Sequence, residues 1–167
     1  IYLGYSFLND QISIAFTDYF FPTDGIDNSY FIYDNSTSHV FEASLSFNGT
    51  ENIPIGILVG TLFYGADLDG NGDNRYSTYL ELSYSPEIKD MPISIFCGIN
   101  LIATSENDLN LPNPINGFYG DKLGVVNLGV SATNNIKVTD SFSLPLNLSV
   151  ITNPMSGNLF IVAGFSF

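Results

Sequence analysis

Apolar and polar residues alternate along nearly the whole chain, and helical periodicity is hard to find. In one stretch Ile55, Ile57 and Val59 fall on one side while Gly56 and Gly60 fall on the other. Further on, Ile93, Ile95, Cys97 and Ile99 alternate with Ser94, Gly98 and Asn100. A period of two sends successive side chains to opposite faces of a strand. The pattern predicts nine strands, at about 1–8, 11–20, 39–47, 55–66, 76–84, 92–104, 122–133, 141–152 and 158–167. The last reads N-L-F-I-V-A-G-F-S-F, with odd positions apolar and Gly164 and Ser166 opposite them.

The connections between these strands alternate in length. Those at Asn9, Asn48, Ser85 and Asn134 are short, the last spanning Asn134 to Asp140. Those beginning near Phe21, Asp67 and Ser105 are long, and the one at Asn153 takes the same alternating place. Outer-membrane barrels have short periplasmic turns and longer outer loops. The expected fold is therefore all-β: a single antiparallel up-and-down transmembrane β-barrel over 1–167. Bacterial single-chain barrels use even strand numbers. An odd number of strands is accordingly expected ahead of residue 1. The soluble alternative is a lipocalin-like barrel that binds a ligand inside.

Composition separates these two readings. Hydrophobic residues make up 45% of the chain and charged residues only 13%, about half the usual charged share. The positions opposite the apolar face are Ser, Gly, Asn and Ala, where a soluble sheet carries Lys, Glu, Arg and Thr. That pattern suits a lumen, with the apolar face turned to lipid. No apolar run reaches the ~18 residues of a membrane helix. Four Lys and Arg against 17 Asp and Glu exclude the basic footprint that nucleic acid needs. The lone Cys97 can form no intrachain disulfide and reads as a small wall residue.

Several clusters are candidates for chemistry. Asp67, Asp69, Asn71 and Asp73 place oxygen side chains at alternate positions of a glycine-containing loop, the spacing used by calcium sites. Thr78 stands where the closing acid of an EF-hand loop belongs, so that motif is incomplete. The bland reading is a solvated hairpin tip, and no other cofactor is indicated. Glu42 and Glu81 should face the lumen with Tyr79, Asn127 and Asn147. Two inward carboxylates can form a cation-selective ring or an acid/base pair, or simply hydrogen-bond to inward tyrosines. His39, the single histidine, lies beside Ser38 and three residues before Glu42. Alternation sends His39 to the face opposite both, which argues against a catalytic triad. Tyr19, Tyr64, Phe118 and Tyr119, among other aromatics near the long loops, read as an interfacial belt. The run Tyr30 to Tyr33 reads as a cover for the barrel mouth or a docking point.

Five segments carry a family resemblance: T-D-Y-F-F-P (Thr17 to Pro22), H-V-F-E-A-S-L-S-F (His39 to Phe47), Y-S-T-Y-L-E-L-S-Y (Tyr76 to Tyr84), G-F-Y-G-D-K-L-G-V-V-N-L-G-V (Gly117 to Val130) and T-D-S-F-S-L-P (Thr139 to Pro145). They resemble small outer-membrane barrels of Bacteroidota, near the TorF-type porin-like proteins. The resemblance implies about twelve strands, of which nine are visible here, and it supplies no catalytic residues. The expected function is a non-enzymatic, porin-like passive pore for small solutes in the bacterial outer membrane. Its loops near Phe21, Asp67, Ser105 and Asn153 would face the cell exterior. The alternative is an accessory subunit of a larger outer-membrane complex, its lumen filled by side chains. Expected partners are outer-membrane lipid and other outer-membrane proteins, and not nucleic acid.

Overall fold

A computed structural model describes residues 1–22, 29–34, 37–50, 52–88 and 91–165. Nine strands form one antiparallel meander: β1 (Tyr2–Phe7), β2 (Ile12–Phe20), β3 (His39–Phe47), β4 (Ile55–Gly65), β5 (Thr78–Tyr84), β7 (Met91–Asn100), β8 (Gly124–Lys137), β9 (Ser143–Asn153) and β10 (Asn158–Phe165). A two-residue strand, β6 (Glu87–Ile88), pairs with the start of β7, and a single helical turn, α1 (Glu106–Leu109), lies between β7 and β8. The sheet is open. β1 and β10 are its edges and do not pair with each other. Ser166 and Phe167, which alternation assigns to the last strand, lie outside the described residues. So do parts of the connections after Phe21, Asn48 and Ser85.

All nine expected strands are present, and their boundaries move where a side chain or a pairing overrides the local pattern. β5 begins at Thr78 because Tyr76 adopts φ 56°, which no extended strand accommodates. β7 stops at Asn100, whose side-chain amide donates to the carbonyls of Ile102, Gly120 and Lys122 and turns the chain out of the sheet. The connection expected at Asn134 to Asp140 is displaced. β8 continues to Lys137, with Asn134 opposite Leu146 and Asn135 opposite Pro145. Pairing with β9 satisfies this backbone and outweighs the turn preference of the Asn-Asn dipeptide.

Register makes the two faces explicit. One row crosses all nine strands through Phe7, Ile12, Phe47, Ile57, Leu82, Cys97, Leu128, Thr152 and Leu159. Every member but Thr152 is apolar. This face is the open one: Ile57 and Leu82 are each 42% exposed and Leu159 is 66% exposed. A row on the opposite face, three residues along each strand and four along β8, runs through Gly4, Ala15, Ser44, Gly60, Tyr79, Asn100 and Gly124. Among the described residues the buried apolar side chains are only Ala15, Val40, Leu62 and Val126. The sheet thus exposes its apolar rows and turns its small and polar rows inward. Among the described residues no helix is long and apolar enough to cross a membrane.

Candidate functional site

The inward face concentrates its polar chemistry between β2 and β8. β3 carries Glu42 and β5 carries Tyr79 and Glu81, two residues apart and therefore on the same face. Tyr79 Oη donates to Glu81 Oε2 at 2.7 Å, and Asn127 Nδ2 on β8 donates to Tyr79 Oη at 3.1 Å. On β2, Tyr19 Oη approaches Glu42 Oε1 at 3.4 Å. Small residues make room for these groups. A Cβ at Gly98 would lie 1.9 Å from Tyr79 Oη, and one at Gly60 would lie 3.0 Å from the Glu42 carboxylate. Larger side chains there would displace the tyrosine and the glutamate that define the cluster.

A second tyrosine enters from far away in sequence. Tyr119 belongs to the loop 101–123, yet its Oη donates to Glu42 Oε2 at 2.9 Å and its ring lies 5.3 Å from that of Tyr79. β3 and β8 are four strand spacings apart, about 19 Å along the wall, so this loop lies back across the inner face. Burial, then the neighbouring Glu42 carboxylate, push the Tyr119 phenol above its ordinary value. At neutral pH it therefore remains a donor. Among the described residues neither Glu42 nor Glu81 has a cationic partner within 4.0 Å. Their negative charge is met by tyrosine hydroxyls alone.

The loop that carries Tyr119 is braced on all sides. Asn100 fixes its base, and Asp121 Oδ1 accepts from the backbone N–H of Gly117 at 2.9 Å. Asp108 on α1 is buried. It accepts from the backbone N–H of Gly70 at 2.9 Å and pairs with Arg75 Nη2 at 3.2 Å. Arg75 Nη1 also donates to the carbonyl of Asn116 at 2.7 Å. The Phe118 ring lies 5.8 Å from that of Phe21, and Met155 packs against Gly120. This one loop therefore contacts the other three connections at its end of the sheet.

Of the expected lumen residues, the structure brings Glu42, Tyr79, Glu81 and Asn127 together. Asn147 lies on the same face but apart from them, donating to Thr133 Oγ1 at 3.1 Å and accepting from Ser149 Oγ at 3.1 Å. Tyr19 and Tyr119 depart from the expected aromatic belt, because their hydroxyls turn inward to the Glu42 carboxylate. No periodicity signals Tyr119, since its partner is 77 residues away.

The acidic loop folds on itself. Asp67 is buried, and its two oxygens accept from the N–H and the hydroxyl of Ser77, each at 2.8 Å. Asp69 Oδ1 accepts from the backbone N–H groups of Asn71 and Asp73 at 2.8 and 3.0 Å. Those bonds, that from Asp73 first, hold the Asp69 carboxyl below its ordinary value. Among the described residues no three His, Cys, Asp or Glu side chains converge in a metal-binding group. The oxygens of Asp67 and Asp69 are largely committed to the loop's own donors.

His39 is wholly buried. Its Nδ1 lies 2.6 Å from Asp18 Oδ1 and its Nε2 lies 2.6 Å from the Tyr30 carbonyl. That carbonyl can only accept, so Nε2 carries a proton, and one further proton sits between Nδ1 and Asp18. Neither nitrogen is left to activate Ser38, and Glu42 points to the other face. The Ser38–His39–Glu42 triad is therefore not assembled. The rings of Phe20, Tyr30 and Tyr33 lie 4.8, 4.9 and 4.5 Å from the imidazole. Tyr30 and Tyr33 of that run therefore pack against the outward face around His39 and shield its pairing with Asp18.

At the opposite end of the sheet, a polar cavity of about 990 Å³ is lined by Asp10, Gln11, Asn48, Thr50 and Ser85, among others. It is open and carries no comparable bracing. No protein-family model, curated protein or solved structure matches the chain.

Proposed function

We propose that this chain forms most of the wall of an integral outer-membrane β-barrel, providing a narrow, passive, porin-like path for small solutes. The observation that carries this reading is the inverted distribution of the two faces. Apolar rows continuous through nine strands stand exposed, while Ser, Gly, Asn, Tyr and Glu face inward. In water that arrangement forfeits about 25 cal/mol for each Å² of apolar surface left uncovered. In lipid it costs nothing and keeps backbone hydrogen bonds satisfied within the sheet. Nine alternating strands leave β1 and β10 pointing the same way. Closure by antiparallel pairing therefore takes an odd number of further strands, and three give the twelve of the resembling Bacteroidota barrels. The three long connections and the short one after Asn153, which lies at the same end, would face the cell exterior.

Glu42 and Glu81, lacking cationic partners among the described residues, favour passage of cations. Purified protein in planar bilayers should show stepwise, cation-preferring conductance. Glu42→Gln and Glu81→Gln should each lower the cation preference. Silence from well-folded protein would remove the pore reading. The tyrosine-filled cluster supports a second reading, an accessory subunit of a larger outer-membrane complex. Silence together with co-purifying outer-membrane proteins in mild detergent would favour it.

A further inference from the structure

We propose that Tyr119 sets the narrowest point of the inner path, held there as a fixed part of the barrel by the braced loop 101–123. This rests on the pore reading and adds to it the residue that limits passage, with hydrated cations as the class of solute it meets. Four observations converge. The loop arises between β7 and β8, yet Tyr119 reaches Glu42 on β3, so its backbone must pass over the inner face of the strands between. The rings of Tyr79 and Tyr119 lie 5.3 Å apart, and each hydroxyl donates to a different carboxylate. Two aromatic rings thus stand between two negative groups, in the part of the wall where Gly60 and Gly98 make room for Glu42 and Tyr79.

The third observation concerns rigidity. Arg75 and Asp108 are both more than nine-tenths buried, and Asn100 is 1% exposed. Each ties loop 101–123 to another part of the chain. A loop fastened at its base, middle and flank holds its side chain in place rather than sweeping across the opening. Finally, among the described residues the opposite end holds an open cavity of about 990 Å³. A cation crossing the inner face therefore meets Tyr119 beside two carboxylates that have no cationic partner among the described residues, where shedding part of its hydration is compensated.

The hydroxyl and the ring have separable roles. The ring occupies space. The hydroxyl donates to Glu42 and so withholds part of that carboxylate's charge from a passing ion. Tyr119→Ala should widen the path, and Tyr119→Phe should leave its width while freeing Glu42 Oε2.

The test uses the full-length protein in planar bilayers with potassium chloride, its fold checked by heat-dependent electrophoretic mobility. Asn147→Ala serves as an inward-facing control away from the cluster. Tyr119→Ala should raise single-channel conductance by about twofold or more, and Tyr119→Phe should raise potassium-over-chloride preference at near-unchanged conductance. A silent, well-folded wild type removes the pore reading and this inference with it, whatever the variants do. If the wild type conducts and both Tyr119 variants match it in conductance and selectivity, the proposal is overturned while the pore reading stands. A Tyr119→Ala protein that does not fold leaves the decision to the selectivity of Tyr119→Phe.

Discussion

The two ends of the sheet are built differently. At the end carrying the long connections lie all five of the largest fully buried side chains: Leu62, His39, Val40, Asn100 and Ser77. A buried hydrogen bond joins Asp18 to His39, and a buried ion pair joins Arg75 to Asp108. At the other end, Leu8, Asn9 and Asp10 turn through positive φ, and the one ion pair among the described residues, Lys137 with Asp140, is exposed. An apolar wall that stands exposed supplies little core, so the packing that normally fills a domain's centre is concentrated in the loop crown. This teaches that the crown is a structural element in its own right and not a set of surface loops. It also places the inner tyrosine cluster beneath the most rigid part of the molecule.

The largest effect should come from breaking the crown's buried pair. Asp18→Ala leaves His39 wholly buried with one acceptor removed, and losing one partner of a buried pair costs about 3–5 kcal/mol. Thermal unfolding in detergent should show a large fall in midpoint, with the Tyr30 to Tyr33 cover lost first. A midpoint close to wild type would mean that the aromatic rings alone hold the crown.

Next in size is a change to the wall between the two ends. Leu82 occupies the apolar row that spans all nine strands. Leu82→Arg should destabilise the folded protein in lipid by about 2–4 kcal/mol if that row sits near the bilayer midplane. In a water-facing sheet the same residue, already 42% exposed, would accept arginine with little change. Folding titrations in lipid vesicles distinguish the two.

Asp67→Ala should cost less, about 1–3 kcal/mol, because it strands the buried N–H and hydroxyl of Ser77. The same substitution removes one of the four oxygen side chains that resemble a calcium loop. If its effect on melting appears only when calcium is present, the loop binds the ion. An effect of equal size with chelator shows that Asp67 acts through Ser77.

The wall was readable in the sequence because alternation is a local signal, repeated in every strand. Ile57, Leu82 and Leu128 announce their face through their own neighbours. The inward positions of Glu42, Glu81 and Tyr79 followed from the same rule. The crown was not readable, because its contacts join residues far apart: Arg75 with Asp108, Asp18 with His39, and Tyr119 with Glu42. Aromatic residues near strand ends look alike in sequence, whether they face lipid, cover a histidine or enter the interior. The partner of His39 was hidden for a related reason. Its neighbours Ser38 and Glu42 lie close in sequence, whereas its actual partner, Asp18, sits on the preceding strand. Strand β8 shows the converse limit, where Asn134 and Asn135 carry a turn signal that pairing with β9 overrides.

The smallest effect should come from the turn end, and it sharpens the comparison most directly. Asn48 is the counterpart of Asn100, since its side-chain amide also ties down a connection at its end of the sheet. Its Nδ2 donates to the Asp10 carbonyl at 2.6 Å and to Ser13 Oγ at 2.9 Å, and its Oδ1 accepts from Ser46 Oγ at 3.0 Å. Unlike Asn100, Asn48 is exposed. When Asn48→Ala removes these bonds, water can replace each of them, so the cost should stay below about 1 kcal/mol. Asn100→Ala removes donors from three part-buried carbonyls that water reaches less easily, and the loss should be severalfold larger. Paired melting curves of the two variants give the ratio. Equal losses would mean that both ends rest on the same kind of bond. An Asn48→Ala protein that melts like wild type, beside a weakened Asn100→Ala, assigns the difference to burial, because the amide group removed is the same in both.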